Sequence, residues 1–158
     1  MCLGFRHAIG ALLLSLCCSV SIAAPPALTQ SQLVINGVRI KASEADARKR
    51  LGRPTSAETS FDYCANGVEK VLGYPIGTVR LLEGRLVDFE CTDRSCATAD
   101  GLKVGMPRAQ VLQIYGPGQP YQHRDAIGYF AEDLKGCGLM VVFKGDYVES
   151  LRIFCVVC

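Results

Sequence analysis

Tryptophan is absent from this 158-residue chain, histidine occurs only at His7 and His123, and aromatic residues make up 8%. A site that needs several imidazoles, for a metal or for relayed protons, has little to be built from. Charge of one sign is also missing: 17 basic residues face 15 acidic ones, a formal net charge of +2. Phosphate neutralisation needs a clear basic excess, so nucleic-acid binding is excluded as a default. No apolar run comfortably reaches the roughly 20 residues of a membrane-spanning helix. The chain is still 49% apolar and 20% charged, which is the composition of a folded protein and not of a disordered tail. Its length suits one domain, or two very small ones.

What is present begins with a targeting signature. Arg6 and His7 form a short positive start, and Ala8 to Ile22 is apolar or small throughout. The run closes on Ser21-Ile22-Ala23-Ala24 before Pro25-Pro26, with small residues where a signal peptidase requires them. Cleavage is expected after Ala23, because cutting after Ala24 would leave Pro25 at the new N-terminus. Cys17 and Cys18 follow Leu16, not the small residue that a lipidation signal places before its cysteine. The expectation is a periplasmic or secreted protein with residues 1–23 as signal peptide, 24–158 as the domain, and no transmembrane segment after cleavage.

Loss of residues 1–23 removes three of the nine cysteines and leaves Cys64, Cys91, Cys96, Cys137, Cys155 and Cys158. An even set in an exported small domain reads as a disulfide framework. The mature chain also repeats itself. Gly37-Val38-Arg39-Ile40-Lys41 aligns with Gly101-Leu102-Lys103-Val104-Gly105, and the same offset of 64 places Leu51-Gly52 on Tyr115-Gly116 and Cys91 on Cys155. That equivalence suggests the pairs Cys64–Cys91, Cys137–Cys155 and Cys96–Cys158, with a small Cys91–Cys96 ring as the open alternative.

Each copy predicts a short helix. Ser43 is a natural N-cap with Asp46 three residues on, and Gly52 suits the position past the end. In the second copy Pro107 suits the first helical position and Gly116 the position past the end. Helices of two to three turns cannot stand alone in water and must lie on an apolar surface. Thr78 to Leu82 and Arg85 to Cys91 flank Glu83-Gly84, and Leu139 to Phe143 and Val148 to Cys155 flank a turn containing Gly145. In the last strand Leu151, Ile153 and Cys155 alternate with Ser150 and Arg152, as in a hairpin with one buried face. Leu33 to Ile40, with Asn36-Gly37 inside it, suits an extra strand or hairpin. The predicted fold class is α+β, with two tandem repeats of helix plus antiparallel strands (about 33–96 and 97–158), helices on one face of the sheet, stapled by disulfides.

Gly101-Leu102-Lys103-Val104-Gly105-Met106, followed by Val111-Leu112 and Tyr115-Gly116-Pro117, resembles the opening of SmpA/OmlA (BamE-like) domains. The closing run Val148-Glu149-Ser150-Leu151-Arg152-Ile153 after a Lys144-Gly145-Asp146 turn fits the same pattern. The tandem, cysteine-bearing arrangement resembles the β-lactamase-inhibitor protein fold. The resemblance implies a fold and a binding role in the cell envelope; its motifs are turn and core residues and imply no catalytic chemistry.

Chemistry-bearing residues are few. His123 lies in a Gly/Pro-rich stretch that reads as a surface loop, which does not suggest a nucleophile–base pair. Cys155-x-x-Cys158, with Cys91 and Cys96, has the number of thiolates for Zn²⁺, and a C-x-x-C can serve thiol redox chemistry. Export into an oxidising compartment favours disulfides over both. Arg48-Lys49-Arg50 reads as a solvated helix face. No catalytic residue, cofactor or metal is expected. A protein partner in the cell envelope is expected instead, meeting the loop 117–130 through Tyr121, His123, Arg124 and Tyr129, because aromatics and Arg anchor interfaces. The alternative is a thiol-redox or metal-binding envelope protein using Cys155 and Cys158.

Overall fold

The computed structural model describes residues 27–157. The expected signal segment and cleavage site after Ala23, and Cys158, lie outside the described residues. In chain order the elements are β1 (Val34–Ile35), β2 (Val38–Arg39), α1 (Glu44–Leu51), β3 (Ser56–Asp62), β4 (Gly67–Tyr74), β5 (Gly77–Leu82), β6 (Arg85–Cys91), α2 (Arg108–Tyr115), β7 (Gln119–Pro120), β8 (Ala126–Phe130), β9 (Cys137–Lys144) and β10 (Tyr147–Cys155). The fold class is α+β, as the alternation of helix and hairpin signals predicts.

Local chemistry explains the boundaries. β1 and β2 form a small hairpin across Asn36-Gly37, and β5 and β6 turn at Glu83-Gly84; both pairs take positive φ. Two left-handed residues in a row give the tight turn whose twist matches the flanking strands. The Ser43 hydroxyl accepts from the Asp46 N–H at 3.1 Å, and the Asp46 carboxylate accepts from Ser43 in return, so α1 starts on a reciprocal cap. Pro107 stands one place earlier than expected, as the N-cap of α2.

Eight strands make one antiparallel sheet in the order β3-β4-β5-β6-β10-β9-β8-β7. Each half of the sheet is a meander, and β6 joins β10 at the centre through pairs such as Phe89↔Ile153. Sequence pattern alone signals no strand at β3 or β4. The segment Ser-Ala-Glu-Thr-Ser-Phe-Asp of β3 has almost no apolar alternation, and six of its seven residues are exposed.

Strand residues divide by face. Leu72, Val79, Leu81, Phe89, Leu139, Val141, Leu151 and Ile153 join one large buried cluster with Ala47, Val111 and Tyr115 from the helices. The alternate residues point to the outer face, where a smaller buried cluster holds Ala126, Met140, Val142 and Phe154.

Two disulfides are defined among the described residues. Cys137–Cys155 crosses directly paired positions of β9 and β10, as the repeat offset suggests. The expected Cys64–Cys91 and Cys96–Cys158 pairs do not form. Cys91 is bonded to Cys96, five residues on, with Cα atoms 6.0 Å apart. The turn after β6 explains this, because the Asp93 carboxylate accepts the Ser95 N–H and the Cys96 N–H reaches Asp93 O, which folds the chain back onto the strand end. Cys64 is itself disulfide-bonded.

Candidate interaction face

The outer face of the sheet brings together residues from six strands. At its centre Asp88 on β6 receives two guanidinium groups. Arg152 Nε on β10 lies 2.9 Å and 3.0 Å from the two carboxylate oxygens, and Arg152 Nη2 makes a further close contact. Arg80 on β5 lies 3.6 Å from the same carboxylate and donates to Glu69 on β4 at 3.0 Å. The result is an alternating row, Glu69–Arg80–Asp88–Arg152. Bonding to Asp88 raises the Arg152 pKa further above its ordinary value, so the cation is fixed. The row is neutral in sum and each charge has a partner, which is the condition for holding such groups half-buried.

Next to the row lies an aromatic cluster. Phe154 is paired with Asp88 on one side and with Gly138 on the other, and Gly138 pairs with Phe130. With no side chain at Gly138, the Phe154 and Phe130 rings meet edge-on, centroids 5.9 Å apart. Gly128 has the same effect in the neighbouring row. A Cβ there would lie 3.5 Å from the Tyr121 ring and 3.6 Å from the Phe130 ring, so both rings rest over bare backbone. A cavity of about 290 Å³ opens between ions and rings, lined by Arg80, Tyr121, Met140, Arg152 and Phe154 among others.

The 121–125 loop is held to this surface. Arg108, at the start of α2, lies 2.5–2.6 Å from both oxygens of Asp125 and stacks over the Phe143 ring at 3.9 Å. Asp125 O accepts the Phe143 N–H, and Ala126 O accepts the Tyr121 N–H. Tyr121 is thereby placed by backbone on both sides, while His123 and Arg124 project at the exposed tip.

Tyr129 departs from the expectation. It is buried in the large core, its ring 5.2 Å from that of Tyr115, and its hydroxyl donates to Gly116 O at 2.8 Å. Burial pushes its pKa up to about 12, and pushes Tyr115 up as well. Period-two alternation decides between neighbours here: Tyr129 turns inward, so Phe130 turns out. The structure thus brings Tyr121 together with Phe130 and Phe154, leaves His123 at the exposed loop tip and Arg124 in a separate groove with Glu90 and Val142, and removes Tyr129.

Sequence reasoning missed the ionic row. Some of its signal was present, since Arg152 alternates outward from the predicted closing strand. That Arg80 and Asp88 stand beside it depends on β6 pairing with β10, a contact between residues 64 apart. The thiols considered for zinc or redox chemistry are placed too: Cys91 and Cys96 are bonded to each other, and Cys155 is bonded to Cys137.

A larger groove of about 700 Å³ lies at the other end of β10, against Met106, Pro107, Tyr147 and Val148. It lacks the charge pairing and ring packing of the outer face. Comparison with protein-family models, with curated proteins and with solved structures returns no match for this chain.

Proposed function

We propose that the protein is an exported, non-enzymatic binding module of the cell envelope that engages a protein partner through the outer face of its sheet. The observation that carries this reading is the aromatic cluster beside the ionic row. Tyr121 and Phe130 remain 40% and 39% exposed although they sit on a structured surface, packed over glycines next to fixed charges. Half-exposed rings on a rigid floor lose little entropy when a partner covers them, and aromatics beside Arg are the residue types that anchor interfaces.

The architecture supports a two-repeat origin for that face. α1 and α2 are offset by 64 residues from end to end, and each is followed by Gly52 or Gly116 at positive φ. The sheet order is a mirror about β6 and β10, and Phe89 pairs with Ile153, its own equivalent at the same offset. Two helices contributing Ala47 and Val111 to one core would cover one face and leave the other to a partner. This agrees with the resemblance of the 101–155 motifs to BamE-like domains and of the tandem arrangement to β-lactamase-inhibitor proteins. A redox or metal role for Cys155 and Cys158 loses support because Cys155 is already bonded to Cys137.

The test is capture from envelope extract with the wild-type protein and with the pair Tyr121→Ala, Phe130→Ala. Both side chains are half-exposed, so the melting temperature should move little. Loss of the captured partner at unchanged stability is the expected result. Retention of the partner by the double variant removes the outer face as the binding surface.

A further inference from the structure

The two edges of the sheet are unlike. β7 ends the sheet with two residues, one of them Pro120, which has no N–H to offer a further strand. β3 ends it with seven residues that pair with β4 in unbroken register from Ser56↔Gly73 to Asp62↔Gly67. Among the described residues no strand pairs with its outward N–H and C=O groups, and it carries no Pro, no bulge and no Lys, the devices that normally blunt an edge.

The side chains of β3 define what fits there. Glu58 stands on the outer-face side together with Asp62, one of whose carboxylate oxygens also accepts the Cys64 and Ala65 N–H groups, and β3 carries no base. On the core-face side Phe61 is 48% exposed, paired with Val68, also 48% exposed, and its ring meets Tyr63 edge-on at 5.2 Å. The edge is thus acidic on one side and apolar on the other, at strand period. A second copy is a poor occupant. Antiparallel self-pairing centred on Thr59 would set Glu58 diagonal to its own copy and to Asp62 of the other chain, with no cation between them.

We propose that β3 is a docking edge for an extended segment of a partner polypeptide, with Lys or Arg alternating with apolar residues, which joins the sheet as an added strand. The main-chain ladder supplies affinity, and the alternation supplies orientation: cations beside Glu58 and Asp62, apolar side chains beside Phe61. This goes beyond the outer-face reading and stands without it: the ladder runs along the edge of the sheet, and only Asp62 at its end also lines the cavity that holds Tyr121 and Phe154.

The test uses the full-length oxidised protein and two short synthetic peptides, one alternating lysine with valine and one alternating glutamate with valine. Amide hydrogen exchange across 56–62 reports strand addition. The lysine peptide should protect these amides and the glutamate peptide should not. Glu58→Lys, a change at an exposed side chain, should weaken the lysine peptide about five- to tenfold. Protection of 56–62 by both peptides alike, protection confined to residues of the outer face, or unchanged affinity in Glu58→Lys overturns the proposal. So does a concentration-dependent dimer that protects 56–62 without any peptide.

Discussion

The half of the sheet formed by β3–β6 and the half formed by β7–β10 follow the same meander, yet they treat the outer face in opposite ways. In the first half that face is amphipathic and wet: Glu58, Glu69 and Arg80 line it, with Asp88 at the seam. In the second half, beyond Ser150 and Arg152 at the seam, it is apolar: Ala126, Met140, Val142 and Phe154 are buried there although the main core lies on the opposite side. The edges differ in the same sense, seven residues, six of them exposed, against two ending in proline. Topology therefore does not decide where a sheet is adhesive. A half that is apolar on both faces gains burial and becomes the rigid floor, whereas a half that is apolar on one face keeps its charges and its edge available.

The sharpest break in this comparison is a truncation on one row of the outer face. Met140 and Thr78 belong to the same cross-sheet row, through Arg152 and Glu90. Met140→Ala should cost about 2–4 kcal/mol, because it empties a buried position. Thr78→Ala, at an exposed position, should stay within about 0.5 kcal/mol. Denaturant unfolding of the oxidised protein checks both, and equal costs would mean that the outer face is equally structural in the two halves.

The seam between the halves gives the next effect. Asp88→Ala leaves Arg80 and Arg152 facing each other without their shared carboxylate, and should destabilise by about 2 kcal/mol. The combination Asp88→Leu with Arg152→Met removes the uncompensated charge and should recover most of that loss. If the double change is as costly as the single one, Asp88 acts through packing and not through its cations.

These contrasts also show what was legible in the sequence. The β5–β6 and β9–β10 hairpins could be read because turn chemistry at Glu83-Gly84 and Gly145 is local and the strands alternate. Both helices could be read from Ser43, Gly52, Pro107 and Gly116. β3 could not, since an edge strand needs no apolar face: its polar residues are held by the register with β4, not by burial. The disulfides divide the same way. Cys137–Cys155 follows from two strands that pair directly, whereas Cys91–Cys96, legible only as the open alternative, depends on a turn at Asp93 whose hydrogen bonds have no period. The outer face was half legible. The loop residue Tyr121 was found, but the fate of Tyr129 against Phe130 required the register of β8, and the ionic row required the pairing of β6 with β10.

The smallest predicted effect concerns how each helix is fastened to its half, and it is read from pH. α1 is tied by ions: Glu44 bonds Lys70 of β4 at 2.9 Å and Arg48 one turn on at 2.8 Å. Lys70 first, and then Arg48, hold the Glu44 carboxyl below its ordinary value near 4.5. α2 has an ion pair only at its first residue, Arg108 with Asp125, and its last turn is fastened by aromatic burial, with Tyr115 against Tyr129. A lowered folded pKa contributes stability above the unfolded value, and that contribution disappears as pH falls through the lowered folded value. A tyrosine raised by burial works in the other direction: its contribution is complete below the ordinary value of 10 and is lost as pH rises through about 12 for Tyr129. Melting profiles should therefore show Glu44→Gln flattening only the acid limb below about pH 4.5, by no more than about 1 kcal/mol, as expected for pairs that remain partly exposed. Tyr129→Phe should flatten only the alkaline limb above about pH 10, because the phenol that resists ionisation is gone. A Glu44→Gln profile parallel to wild type from pH 3 to pH 7 would show that the ion pairs of Glu44 do not fasten α1.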